Sequence, residues 1–135
     1  MKLTPELYFL ALVATATVLM WIPYITARMF TRGAWQTLAN PADPTYPPDP
    51  AWAERARRAH ANAVENLAVF APLVIILALL DASTPATILA SKIYLGTRLV
   101  HYVVYAAGIP VVRTLSFLVG VGSTLVIAAA VLNHA

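Results

Sequence analysis

The sequence predicts an all-α fold: an integral membrane bundle of four helices. Three observations carry that prediction. First, the 135-residue chain is 60% hydrophobic and 11% charged, with a mean hydropathy of +0.72, whereas a soluble domain carries about 25% charge. Second, the apolar residues gather in four runs, each long enough to cross a hydrocarbon core of ~30 Å at ~1.5 Å per residue. Third, ionisable groups sit inside two of these runs. At bilayer depth each costs roughly 2.5–3.5 kcal/mol on insertion scales, so it must face a partner, a cavity or a ligand.

The first run, about Leu7 to Ala27, holds no charge. Its apolar part exceeds a signal-peptide h-region and no small-residue cleavage site follows, so it is expected to be a span. Arg28 to Ala53 is expected to be a proline-rich loop. Within it, ANPADPTYPPDPAW places five prolines and two aspartates in fourteen residues. Proline removes a donor and fixes φ, which suits irregular chain outside the hydrocarbon. The second span is expected over about 54–80, with charged first turns outside the membrane and a mild kink at Pro72. Ser83 or Thr84 can cap the third span, over about 86–107, with Pro85 in its first turn. Gly108-Ile109-Pro110 breaks that run. The fourth span covers about 112–132, and Gly120 and Gly122 mark close approaches between helices. The whole chain reads as one domain.

Cysteine is absent, which excludes disulfides, thiolate metal sites and a cysteine nucleophile. The formal charge is +3, and the basic residues cluster around loops. Arg28, Arg32, Arg55, Arg57 and Arg58 flank the first loop and Arg113 adjoins the third. That pattern reads as topology, not nucleic-acid binding: both termini are expected on the non-cytoplasmic side. Short spans without sorting extensions suggest a bacterial inner membrane. A small proton-coupled exporter would carry a carboxylate in its first span, and the run from Leu7 has none.

Residues three, four and seven apart share a helix face. Arg58, Asn62 and Glu65 form one such polar stripe. Arg98, His101, Tyr102 and Tyr105 form another on the next span. The economical packing turns the two stripes toward each other or toward one shared pocket. Ion pairing of Glu65 with Arg98 or Arg58 would account for one carboxylate and one arginine. It leaves a surplus of cations, and a carboxylate-bearing ligand would satisfy that surplus. A metal site is not expected: His60 and His101 lack ligand spacing and their neighbours are cationic. His60 is expected on the helix surface near the headgroups.

The run Glu54-Arg55-Ala56-Arg57-Arg58-Ala59-His60-Ala61-Asn62-Ala63-Val64-Glu65-Asn66 resembles the E-R-x-x-R-A-x-x-N-x-x-E signature of the MAPEG family, the membrane-associated proteins of eicosanoid and glutathione metabolism. The Arg98, His101 and Tyr105 spacing resembles its prostaglandin E synthase branch. The Asn40-Pro41 pair and Arg113 at the start of the fourth span fit the same pattern, so the resemblance covers nearly the whole chain.

The resemblance implies a homotrimer with glutathione as co-substrate between neighbouring subunits. It implies glutathione-binding roles for Arg28, Arg58, Asn62, Glu65, Arg98, His101, Tyr105 and Arg113, with Arg28 contributed by the adjacent subunit. Arg113 would stabilise the glutathione thiolate, with Thr114 beside it where the prostaglandin branch carries serine. Ala61 stands where that branch has an arginine, and Phe117 where tyrosine occurs. The implied activity is a transferase or peroxidase acting on hydrophobic electrophiles or lipid hydroperoxides that arrive from the bilayer. The alternative is a non-catalytic family member that binds lipid or a partner protein.

Overall fold

The computed structural model describes residues 2–134. Among them are six helices and no strand. They are α1 (Pro5–Leu19), α2 (Trp21–Arg32), α3 (Ala34–Ala39), α4 (Ala51–Leu79), α5 (Pro85–Ala107) and α6 (Pro110–Leu132).

The first apolar run is helical but divided. The break falls at Met20, one turn before Pro23. Proline lacks the N–H that would bond four residues back, and its ring crowds that carbonyl. The Tyr102 hydroxyl donates to the Met20 carbonyl at 2.8 Å, so α5 braces the break. Thr4 caps α1 through its side chain and Pro5 opens the helix. The helix therefore starts two residues before Leu7 and takes in Glu6. The expectation of a first span without a carboxylate fails for this reason. Glu6 is buried, and its Oε1 accepts from Ser83 Oγ at 2.8 Å and Thr87 Oγ1 at 2.6 Å. It ties α1 to the start of α5.

The expected loop from Arg28 to Ala53 is shorter than its composition suggested. Helix continues to Arg32 and, after Gly33, resumes over α3, which leaves residues 40–50 as the irregular segment. That segment holds the five prolines. Asp43 Oδ1 accepts from Thr45 N at 2.9 Å and Thr45 Oγ1 at 2.6 Å. These bonds hold the Asp43 carboxyl below its ordinary range. Asp49 receives Arg28 through Nε (3.1 and 2.9 Å) and Nη2 (2.6 Å), with Arg32 Nε at 3.5 Å. One buried carboxylate thus fastens the end of the loop to the end of α2.

Three helical stretches are long and apolar enough to cross a membrane: Pro5–Arg32, Ala51–Leu79 and Pro110–Leu132. α5 has comparable length, 23 residues, but its polar stripe lowers its hydropathy. α4 runs unbroken through Pro72 for 29 residues, about 44 Å, so its charged N-terminal turns can extend beyond a ~30 Å core. α5 begins at a capping box, in which Thr84 accepts from Thr87 N while Thr87 Oγ1 receives Thr84 N. It ends at Gly108, whose φ of +78° is the left-handed conformation that glycine adopts at a helix C-terminus.

α5 sits against α1, α4 and α6, and α4 against α1, α2, α5 and α6. The apolar core is Val13, Phe70, Val74, Leu77, Ala82, Ala90, Tyr94 and Ile127. At its centre the Phe70 and Tyr94 rings stack with centroids 3.7 Å apart. Ala53, Ala56, Ala59 and Ala63 form the buried face of the first half of α4. These small side chains let neighbouring backbones approach closely. The opposite side of α4 carries Arg58 and Glu65 outward.

Candidate active site

Beyond Tyr94 toward the C-terminus of α5, the interior turns polar. Arg98 and His101 are 2% and 3% exposed. A cleft of ≈ 330 Å³ opens beside them, lined by Asn62 of α4, His101 and Tyr105 of α5, and Arg113, Thr114 and Phe117 of α6. Its volume lies within the usual range of ~300–1,000 Å³ for small-molecule sites.

The break at Gly108-Ile109-Pro110 turns α6 back along α5 and sets Arg113 one turn into the new helix. The Arg113 guanidinium lies 4.9 Å from the centroid of the Tyr105 ring. It makes no ion pair among the described residues, so its charge is available to the cleft. Thr114 Oγ1 donates to Pro110 O at 3.2 Å and Ser116 Oγ to Arg113 O at 2.9 Å. The His101 ring meets Tyr105 edge-on at 5.5 Å and Phe117 at 6.3 Å. Arg55 Nε donates to Ala106 O at 2.9 Å and lies against Gly108. It holds the α5–α6 turn that positions Arg113, and nothing in its juxtamembrane position marked it for that task.

The expected residues divide into three groups. Asn62, His101, Tyr105, Arg113 and Thr114 share the cleft. Arg98 lies behind it, with Nη1 3.3 Å from Asn62 Oδ1. Arg28, Arg58 and Glu65 lie outside it. Arg28 has both Nε and Nη2 engaged by Asp49. Arg58 is exposed and pairs with Glu54 at 3.3 Å, and Arg57 meets the same carboxylate at 2.8 Å. Glu65 lines a separate outward cleft of ≈ 370 Å³ with Tyr24, Arg57, His60, Ala61 and Val64. The Tyr24 hydroxyl and His60 Nδ1 share a hydrogen bond of 2.8 Å there.

The two stripes therefore do not face each other within one chain. The stripe of α5 points inward and that of α4 outward, and Asn62 is the member that reaches across. Glu65 pairs with neither Arg98 nor Arg58.

The chain matches the model of the MAPEG family over residues 8–133. It belongs to the MAPEG family. Within that family it is similar to human (Homo sapiens) microsomal glutathione S-transferase 1, 31% identical over 130 residues that cover 87% of this chain and 84% of the relative. The protein of the same name from Rattus norvegicus is 34% identical over 73 residues, 53% of this chain and 47% of the relative. Membership in MAPEG accords with the apolar helices, and this chain is a membrane protein. It also gives the Arg113 cleft a chemical context, because the relatives are named for a glutathione-dependent transfer.

Proposed function

We propose that this MAPEG protein is a glutathione-dependent transferase of the membrane that also reduces lipid hydroperoxides. The observation that carries the reading is Arg113: a guanidinium without a carboxylate partner among the described residues, held over Tyr105 in a cleft that also presents Asn62, His101 and Thr114. Glutathione suits these groups as substrate. It brings two carboxylates, which arginine and amide donors receive, and a thiol of pKa ~8.5 that a neighbouring cation drives toward the thiolate. Arg113 would stabilise that sulfur anion, and Thr114 would offer a hydroxyl beside it. The thiolate attacks an electrophilic carbon while the leaving group departs with its electron pair. With a hydroperoxide it attacks the terminal oxygen, the O–O bond breaks and the alkoxide leaves and takes a proton, and a second glutathione thiol converts the resulting sulfenic acid to disulfide and water.

The same reading assigns Arg28, Arg58 and Glu65 to the site of a neighbouring copy in a homotrimer. Arg58 and Glu65 of α4 are exposed, Arg28 belongs to α2, and none of the three lines the Arg113 cleft, which favours that assignment over a site built in one chain. Four spans, a cytoplasmic first loop and non-cytoplasmic termini in a bacterial inner membrane complete the proposal, with hydrophobic substrate entering from the lipid.

Isothermal titration with glutathione in detergent tests the reading. No binding at millimolar concentration would replace it with a non-catalytic MAPEG protein that binds lipid or a partner. Given binding, Arg113→Ala should keep most of the affinity and lose about 10²–10³ in turnover of an aryl halide, the usual scale for losing a preorganised electrostatic donor. Full turnover in that variant would remove Arg113 from the chemistry.

A further inference from the structure

Arg98 is a cation without a carboxylate partner among the described residues, and it is 2% exposed. Its guanidinium sits against the rings of Tyr94 (5.4 Å) and Phe117 (5.8 Å). Nε and Nη2 are buried without hydrogen-bond partners among the described residues. α6 accommodates the group because residue 120 is glycine. A Cβ there would overlap the guanidinium, with Cζ only 3.1 Å away. Burial penalises such a charge, so the fold maintains Arg98 at a cost to its own stability.

What Arg98 does there is visible at Asn62. Arg98 Nη1 donates to Asn62 Oδ1 at 3.3 Å. Asn66 Nδ2 donates to the same oxygen at 3.3 Å and to the Asn62 carbonyl at 2.8 Å. A carbonyl only accepts, which fixes the Asn66 amide with its nitrogen inward. Arginine only donates. The Asn62 side-chain oxygen is thus turned toward two donors, and its nitrogen is left for the cleft that Asn62 lines.

We infer that Arg98 and Asn66 are positioning residues that lock the Asn62 amide with its N–H groups directed at an anionic acceptor, a carboxylate or thiolate, in the Arg113 cleft. A flipped amide would present oxygen to that anion and repel it. Arg98 therefore acts through Asn62 and does not touch the ligand. The identity of the ligand as glutathione rests on the function proposed above, while the lock rests on the hydrogen bonds alone.

A double-mutant cycle tests it, with glutathione as the titrant. Arg98→Met should weaken glutathione binding about tenfold, the scale of one lost charged hydrogen bond, while the unfolding temperature holds or rises. In an Asn62→Ala background the same substitution should have no further effect on binding. Gly120→Ala, which keeps the charge and displaces the guanidinium, should reproduce the loss. Equal losses in both backgrounds, or a fall in unfolding temperature that tracks the affinity, would overturn the inference. Side-chain amide spectra of protein labelled with ¹⁵N-asparagine give a readout that needs no ligand. The Asn62 NH₂ group should be rigid on the ps–ns timescale in wild type and clearly more mobile in Arg98→Met. A group unchanged by Arg98→Met refutes the lock. If wild type fails to bind glutathione, the proposed function falls and the spectra still decide the lock.

Discussion

The Asp49 clamp makes a quantitative claim about the loop. Asp49 and Arg28 have side chains 7% and 16% exposed, and Arg32 adds a second cation at 3.5 Å. Removing one partner of a fully buried pair costs about 3–5 kcal/mol, and losing an exposed pair about 0–1 kcal/mol. The released arginines of Asp49→Asn can swing toward water or headgroups, which puts this substitution between those limits, at about 2 kcal/mol. That corresponds to roughly a 30-fold larger population of loop released from α2. Trypsin reads the opening directly, because Arg28 and Arg32 lie under the loop. Cleavage after these residues in mild detergent should accelerate by that order in Asp49→Asn, while cleavage elsewhere should not change. Rates within twofold of wild type at Arg28 and Arg32 would show that residues 40–50 stay docked without the carboxylate and that the clamp is incidental.

Three further substitutions have expected outcomes in thermal unfolding. Gly108→Ala forces a left-handed residue with a Cβ 3.3 Å from Arg55 Cζ and should cost about 1–2 kcal/mol, together with part of the glutathione affinity because the turn positions Arg113. Phe70→Ala removes a fully buried ring stacked on Tyr94 and should cost about 3–5 kcal/mol. Leaving stability within 1 kcal/mol would mean that the bundle collapses into the gap. Thr84→Ala removes the cap of α5 and should cost about 1 kcal/mol, with Thr84→Ser close to wild type.

The bundle was legible because the bilayer imposes a length and a polarity on each segment, and breakers at Pro85 and Gly108 punctuate them clearly. The α5 and α6 contributions to the cleft were legible for a related reason. His101 and Tyr105 share one face of one helix, and Arg113 follows the break at Gly108. Other features depended on geometry that periodicity does not carry. The outward turn of Arg58 and Glu65 follows from the alanines at 53, 56, 59 and 63, which take the buried face of α4. Read as a pattern in their own right, those alanines would have shown which side of the helix the charges occupy. Glu6 was missed because hydropathy starts a span at the first apolar residue, although Thr4-Pro5 is a helix-start signal. The partnership of Arg28 with Asp49 bridges 21 residues of chain, and no local rule connects them.

Glu65 points to what lies outside a single chain. It is exposed and makes no hydrogen bond or ion pair among the described residues. It lies 14 residues beyond Ala51, about 21 Å along α4 at ~1.5 Å per residue. If the C-terminal end of the ~44 Å helix is flush with a ~30 Å core, Glu65 lies about 7 Å inside the hydrocarbon. A carboxylate facing lipid at that depth is costly on the insertion scale, so Glu65 needs a polar partner or a ligand in the cleft that it lines with Tyr24, Arg57 and His60. In the proposed trimer that partner is a neighbouring copy with bound glutathione, whose ammonium Glu65 would receive. Glu65→Leu should therefore leave the unfolding of the protomer unchanged or more favourable, and yet weaken glutathione binding at least tenfold. Undiminished affinity in Glu65→Leu would remove this residue from the site. Loss of the fold in the same variant would show that Glu65 serves a contact within the chain.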